Sequence, residues 1–95
     1  QRLLDIGCGW GATVRRAASR YRVDAVGLTL SNNQQQMATR RLAELPPGSG
    51  AVEIRLQGWE EFNEPVDAIV SIGAFEHFRH ERYAELFRRC RSMLP

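Results

Sequence analysis

Apolar residues in this chain come in short runs that glycine and proline bring to an end. Arg2-Leu3-Leu4-Asp5-Ile6 reads as a strand, stopped by Gly7, Gly9 and Gly11. Residues 11–20 place Val14, Ala17 and Ala18 at i, i+3, i+4 and predict a helix. Residues 23–28 predict a second apolar strand. Ser31 has the chemistry of a helix N-cap. The helix it starts is expected to bury Met37, Leu42 and Leu45 and to stop before Pro46-Pro47-Gly48-Ser49-Gly50, the one clear loop. Residues 51–56 alternate apolar and polar, as a strand near a sheet edge does. Residues 66–72 predict a buried strand. Residues 81–94 predict an arginine-rich amphipathic helix with Tyr83, Leu86, Phe87, Cys90 and Leu94 on its apolar side.

Strands that alternate with helices predict parallel βαβ units, and such sheets bind ligands at the carboxyl ends of their strands. The segments to inspect are therefore 7–11, 29–34, 57–62 and 73–80. Composition narrows the classes. With 43% hydrophobic and 25% charged residues in 95, the chain reads as one globular unit and not as a disordered one. Its apolar runs are too short to span a bilayer as a helix. The two cysteines, Cys8 and Cys90, sit in no metal-ligand spacing and predict free thiols in a reducing compartment. A net charge of +2 is too small to imply nucleic acid. The chain opens without methionine on an apolar run and stops just past a helical segment, which reads as a piece of a longer enzyme.

The glycine turn Asp5-Ile6-Gly7-Cys8-Gly9-Trp10-Gly11 lets backbone approach a ligand and opens a helix whose free N–H groups face it. Its spacing also fits a dinucleotide fingerprint. That reading needs an acidic residue after the second strand, where this chain has Gly27-Leu28-Thr29. Asp5 suits a ligand with a positive group, such as the α-amino group of a methionine moiety. Thr29 and Gln34 can hydrogen-bond ribose hydroxyls. Ser31 serves mainly as the cap. Trp59 can flank an aromatic base and Glu60 can accept from an exocyclic amine, against the alternative of a core tryptophan beside a solvated acidic pair. Glu76, between Phe75 and Phe78, is a carboxylate beside the cleft. His77 and His80 read as structural, and no metal site is expected.

Together these segments resemble the S-adenosylmethionine-dependent cyclopropane synthases, which include the cyclopropane-fatty-acid and mycolic acid cyclopropane synthases. The resemblance rests on Leu-Leu-Asp-Ile-Gly-Cys-Gly-Trp-Gly at 3–11, Gly-Leu-Thr-Leu-Ser-x-x-Gln at 27–34, Gln-Gly-Trp-Glu at 57–60, Pro-Val-Asp at 65–67 and Ser-Ile-Gly-Ala-Phe-Glu-His-Phe at 71–78. His-Glu-Arg-Tyr at 80–83 leans toward the mycolic acid branch. The chain departs from the family at Asn32, where lysine is common, and at Arg79, where glycine is.

The resemblance implies an α/β, Rossmann-like class I methyltransferase core, an incomplete parallel sheet of about four strands with three helices. Residues 1–95 would be the N-terminal part of that domain, inactive in isolation. The implied cofactor is S-adenosylmethionine, held by Asp5, Gly7, Cys8, Gly9, Trp10, Gly11, Thr29, Leu30, Ser31, Gln34, Trp59 and Glu60. Glu76 would be catalytic, as a ligand of a bicarbonate ion that acts as base. The implied reaction methylates the cis double bond of a long acyl chain, on a phospholipid or a carrier protein, and closes a cyclopropane ring. The alternatives are a class I methyltransferase acting on another lipid or small molecule, and a nucleotide-binding oxidoreductase. The implied setting is the cytoplasm, with peripheral membrane contact and no nucleic acid partner.

Overall fold

A computed structural model of the chain describes residues 1–71 and 83–95. The elements are β1 (Arg2–Ile6), α1 (Ala12–Tyr21), β2 (Asp24–Thr29), α2 (Asn32–Arg41), β3 (Val52–Leu56), β4 (Ala68–Val70) and α3 (Tyr83–Met93), with 3₁₀ turns at Leu42–Glu44 and Trp59–Glu61. The four strands are parallel in the order β3-β2-β1-β4. β3 is therefore an edge, as its alternating pattern predicts. Gln35 partly covers that edge by donating from Nε2 to the Ile54 carbonyl at 3.2 Å.

Register divides the side chains between two faces. Leu4 pairs with Val26 and Ile6 with Leu28, so these four residues share one face. Trp59, Phe62, Val66, Leu86 and Met93 close a core over them. On the other face, Val14 of α1 and Ala38 of α2 pack with Ala25, Ile54 and Cys8.

Three expectations about burial need correction. In α2 the fully buried residue is Ala38, while Met37, Leu42 and Leu45 are only half-buried. The start of α1 comes so close to α2 that a Cβ at Gly11 would lie 3.1 Å from the Ala38 Cβ, and only a small residue fits there. Of the strand expected at 66–72, residue 72 lies outside the described residues, and among the others the strand is Ala68–Val70. Among the described residues it pairs with β1 alone, and there Ala68 is exposed while Ile69 and Val70 are half-buried. In α3, Leu86, Cys90 and Met93 face the core, whereas Phe87, and Leu94 just past the helix, are exposed. Phe87 follows Leu86 and is turned about 100° round the helix from it.

The segment between β3 and β4 is clasped across the sheet. Phe62, 1% exposed, lies beneath the guanidinium groups of Arg55 and Arg2, whose carbons are 5.4 and 6.0 Å from the ring centroid. Glu64 accepts from Arg2 Nη2 at 2.7 Å and from Arg55 Nη1. Asp67 accepts from the Arg2 amide at 2.7 Å, and Val66 donates to the Met93 carbonyl at 2.9 Å. Hydrogen bonds from Arg55 and then Arg2 hold the Glu64 carboxylate down at about 2. A depressed carboxylate stabilises the fold above its unfolded pKa and stops doing so as pH falls through the folded value. Glu64 is partly exposed, so the effect is at most about 1 kcal/mol. Glu64→Gln is expected to lower stability by about that amount at neutral pH. The gap from the parent should close as pH falls toward 2. Denaturation midpoints at neutral and acidic pH check this.

Candidate cofactor site

The carboxyl ends of β1, β2 and β3 bring together three of the four segments singled out from the sequence. The fourth, 73–80, with Glu76, His77 and His80, lies outside the described residues.

After β1 the chain turns through Gly7, Gly9 and Gly11, all in left-handed conformations with φ of 74°, 58° and 85°. A side chain would be strained at each. A Cβ at Gly9 would meet nothing within 4 Å, so backbone there borders open space. The turn is tied to β2 by the Cys8 amide, which donates to the Leu28 carbonyl at 2.8 Å. Gly11 then starts α1 with no side-chain cap, leaving its first N–H groups to another partner.

Asp5, next to last in β1, lies just before this turn with its carboxylate buried; the residue is 3% exposed. Among the described residues its side chain has no hydrogen bond or ion pair. Burial pushes its pKa up to about 6. A buried carboxylate without a partner is costly, and a bound cation removes the cost. Beside it the Cys8 thiol is raised to about 11, by burial first and by the Asp5 charge second. It stays protonated and acts as a packing group.

After β2, Thr29 is buried and its hydroxyl donates to Gln34 Oε1 at 2.9 Å while accepting from the Ser31 amide at 3.1 Å. Ser31 caps α2 by accepting from the Gln34 amide at 3.2 Å. These bonds fix the Gln34 carboxamide with its Nε2 available to donate. Thr29 is therefore engaged within the turn, and Gln34 is the group it presents. Leu30 is 82% exposed and Trp10 46%, so both offer apolar surface at the rim. Trp59 belongs to the core beside Leu4, Leu28 and Phe62 and is 7% exposed. Glu60 beside it is half-buried.

Two glycines entered the sequence analysis only as members of motifs, with no role given to them. A Cβ at Gly27, in the middle of β2, would lie 2.9 Å from both Cβ and Sγ of Cys8. A Cβ at Gly58 would lie 2.8 Å from Glu60 Oε1. For Gly27 the available signal was a glycine inside a strand, which marks a close approach of another chain segment. Ser71 was quoted only as part of a motif, and its hydroxyl donates to the Ile6 carbonyl at 3.0 Å, pinning the end of β4 to the turn. Among the described residues no three His, Cys, Asp or Glu converge as a metal site, and no helix is long and apolar enough to cross a membrane.

The sequence pattern of mycolic acid cyclopropane synthetase matches residues 1–95, the whole chain. The chain belongs to the mycolic acid cyclopropane synthetase family. Cyclopropane mycolic acid synthase MmaA2 of Mycobacterium tuberculosis is 56% identical over 93 residues, covering 98% of this chain and 32% of that protein. Hydroxymycolate synthase MmaA4 of the same organism is 54% identical, covering 98% of this chain and 31% of that protein. This member thus spans about a third of the length of the curated relatives it matches. Its fold superposes on the MmaA2 structure with a TM-score of 0.92, covering 99% of this chain and 33% of that one. Mycolic acid cyclopropane synthase CmaA1, complexed with SAH and CTAB, gives 0.90 at 52% identity, covering 99% of this chain and 33% of that one. The architecture, four parallel strands with three helices among the described residues, is that of class I methyltransferases. The relatives include both a cyclopropane and a hydroxymycolate synthase, so membership alone leaves the product open.

Proposed function

We propose that these residues form the S-adenosylmethionine-binding part of a longer methyltransferase that converts cis double bonds of long acyl chains into cyclopropane rings. The observation that carries the cofactor reading is Asp5, a buried carboxylate with no partner among the described residues, set beside a backbone cradle at Gly9. That pair fits a ligand with an ammonium group. A dinucleotide would instead bring its pyrophosphate toward Asp5. CmaA1 was crystallised with SAH, and with CTAB, which carries a long alkyl chain; both support the reading.

In this reading Asp5 faces the ammonium group, the glycine turn and the start of α1 take the carboxylate, Gln34 Nε2 donates to the ribose, and Leu30 covers the base. The cofactor supplies an electrophilic methyl on a sulfonium. An alkene is a weak nucleophile, so the protein's main contribution is to hold the two reactants in line and exclude water. The resemblance adds bicarbonate as the base, with Glu76 among its ligands. Glu76→Gln is expected to reduce cyclopropane formation about a hundredfold while leaving cofactor affinity nearly unchanged. Turnover on an unsaturated acyl substrate, measured beside cofactor affinity, distinguishes a catalytic Glu76 from a structural one. The substrate form, phospholipid or carrier-bound, and a cytoplasmic setting at the membrane periphery belong to the same proposal.

Calorimetry on the full-length protein tests the cofactor. S-adenosylmethionine is expected to bind and a nicotinamide dinucleotide is not. Gln34→Ala should weaken binding about tenfold, the size of one charge-free hydrogen bond in a closed site. Binding of the dinucleotide alone would overturn the assignment.

A further inference from the structure

We propose that the groove between α1 and the end of α2 is a docking surface for an acidic protein partner. The groove has a volume of about 550 Å³ and runs along the outer side of α1 from Ala12 and Thr13 to Ser19. Arg15 and Arg16 of α1 form one wall, and Arg41, Glu44, Leu45 and Pro46 form the other. Among the described residues none of these three arginines forms an ion pair. Arg2 and Arg55, on the other face of the sheet, are both clasped to Glu64. The groove arginines therefore hold unspent charge, and Arg15 is preoriented by its Nε bond to the Gly11 carbonyl at 3.3 Å. Arg20, Arg22 and Arg40 extend the positive charge along the same layer, where Asp24 and Glu44 are the only acids between residues 12 and 46.

Three features select a protein over a membrane or a nucleic acid. A bilayer-binding face joins its cations to protruding apolar anchors. Here the exposed Trp10 and Leu30 stand at the strand ends, Phe87 on α3 and Leu94 just after it, while Leu45 is half-buried in the groove wall. The lining includes no aromatic side chain on which a base could stack. Glu44 puts a carboxylate among the arginines, which repels phosphates but accepts from a protein's N–H or cationic groups. Carboxylates opposite Arg15, Arg16 and Arg41, with a donor opposite Glu44, make the complementary surface. The inference goes beyond the proposed activity and does not depend on it.

The test uses the full-length protein and three probes: a labelled helical peptide rich in Glu and Leu, vesicles containing phosphatidylglycerol, and a short DNA duplex. The peptide is expected to bind, more weakly as salt rises. The Arg15→Gln/Arg16→Gln/Arg41→Gln variant should lose about tenfold or more in peptide affinity. Its S-adenosylmethionine affinity and thermal midpoint should match the parent. Vesicle and duplex binding should be equal for parent and variant. Should the triple variant unfold, Arg16→Gln/Arg41→Gln keeps the Arg15–Gly11 bond and should still lose about threefold. Peptide binding that is absent, or unchanged in the folded variants, overturns the proposal. So does a loss confined to vesicles or to DNA, which would name a different partner.

Discussion

Asp5→Asn is expected to weaken S-adenosylmethionine binding about 10- to 100-fold, the range for losing one charged hydrogen-bonding partner in a closed site. The same substitution should change how the cofactor-free protein responds to pH. Asp5 has its pKa raised from an ordinary 3.8 to about 6 because burial opposes its charge. A raised carboxylate binds its proton more tightly in the fold than in the unfolded chain. Its contribution to stability is therefore complete below the unfolded value and is lost as pH rises through 6. The loss is on the order of 3 kcal/mol. Asn carries no charge at any of these pH values, so the variant should lack this fall in stability, which runs from the ordinary 3.8 up to about 6. Saturating cofactor should remove the same fall from the parent, since an ammonium group opposite Asp5 stabilises the ionised form. Titration calorimetry and denaturation at several pH values check both parts. Unchanged affinity together with an unchanged stability profile would show that Asp5 is paired inside the protein and has no part in the site.

A second large effect is expected at Gly27. Gly27→Ala places a Cβ 2.9 Å from the Cys8 Cβ and Sγ and 3.1 Å from Ile54 Cδ1. Neither side can yield cheaply. β2 is paired on both edges, and the Cys8 amide bonds back to β2 at Leu28. Overpacking of this kind costs about 3 kcal/mol, enough to lower a denaturation midpoint clearly. The assignment to Cys8 has its own check. Cys8→Gly removes both clashing atoms, so the double variant should be less destabilised than the two single variants summed. Strict additivity would place the conflict elsewhere. Because the glycine turn rides on this contact, the surviving folded fraction of Gly27→Ala should also bind cofactor poorly.

The sequence by itself determined the βαβ order, the ends of β1, β2 and β3 to within a residue or so, the Ser31 cap and the glycine turn. All of these follow from short-range physics. Apolar period sets element type, glycine alone tolerates the left-handed turn, and a serine hydroxyl reaches an amide three residues on. The family motifs were legible for the same reason, since each is a contiguous strand-end segment. Tertiary structure alone decided which apolar residues are buried. Ala38 displaces Met37, Leu42 and Leu45 because α1 and α2 meet at Gly11, and β4 stays half-exposed with one neighbouring strand among the described residues. It also decided the chemistry of the polar groups. Thr29 is spent on Ser31 and Gln34, Trp59 joins the core, and Asp5 is left without a partner among the described residues. Those outcomes depend on atoms brought together from distant positions in the chain, such as Cys8 against Gly27 or Arg2 against Glu64. A one-dimensional pattern records which residue types are present, but burial and hydrogen-bond partners are properties of the packed arrangement.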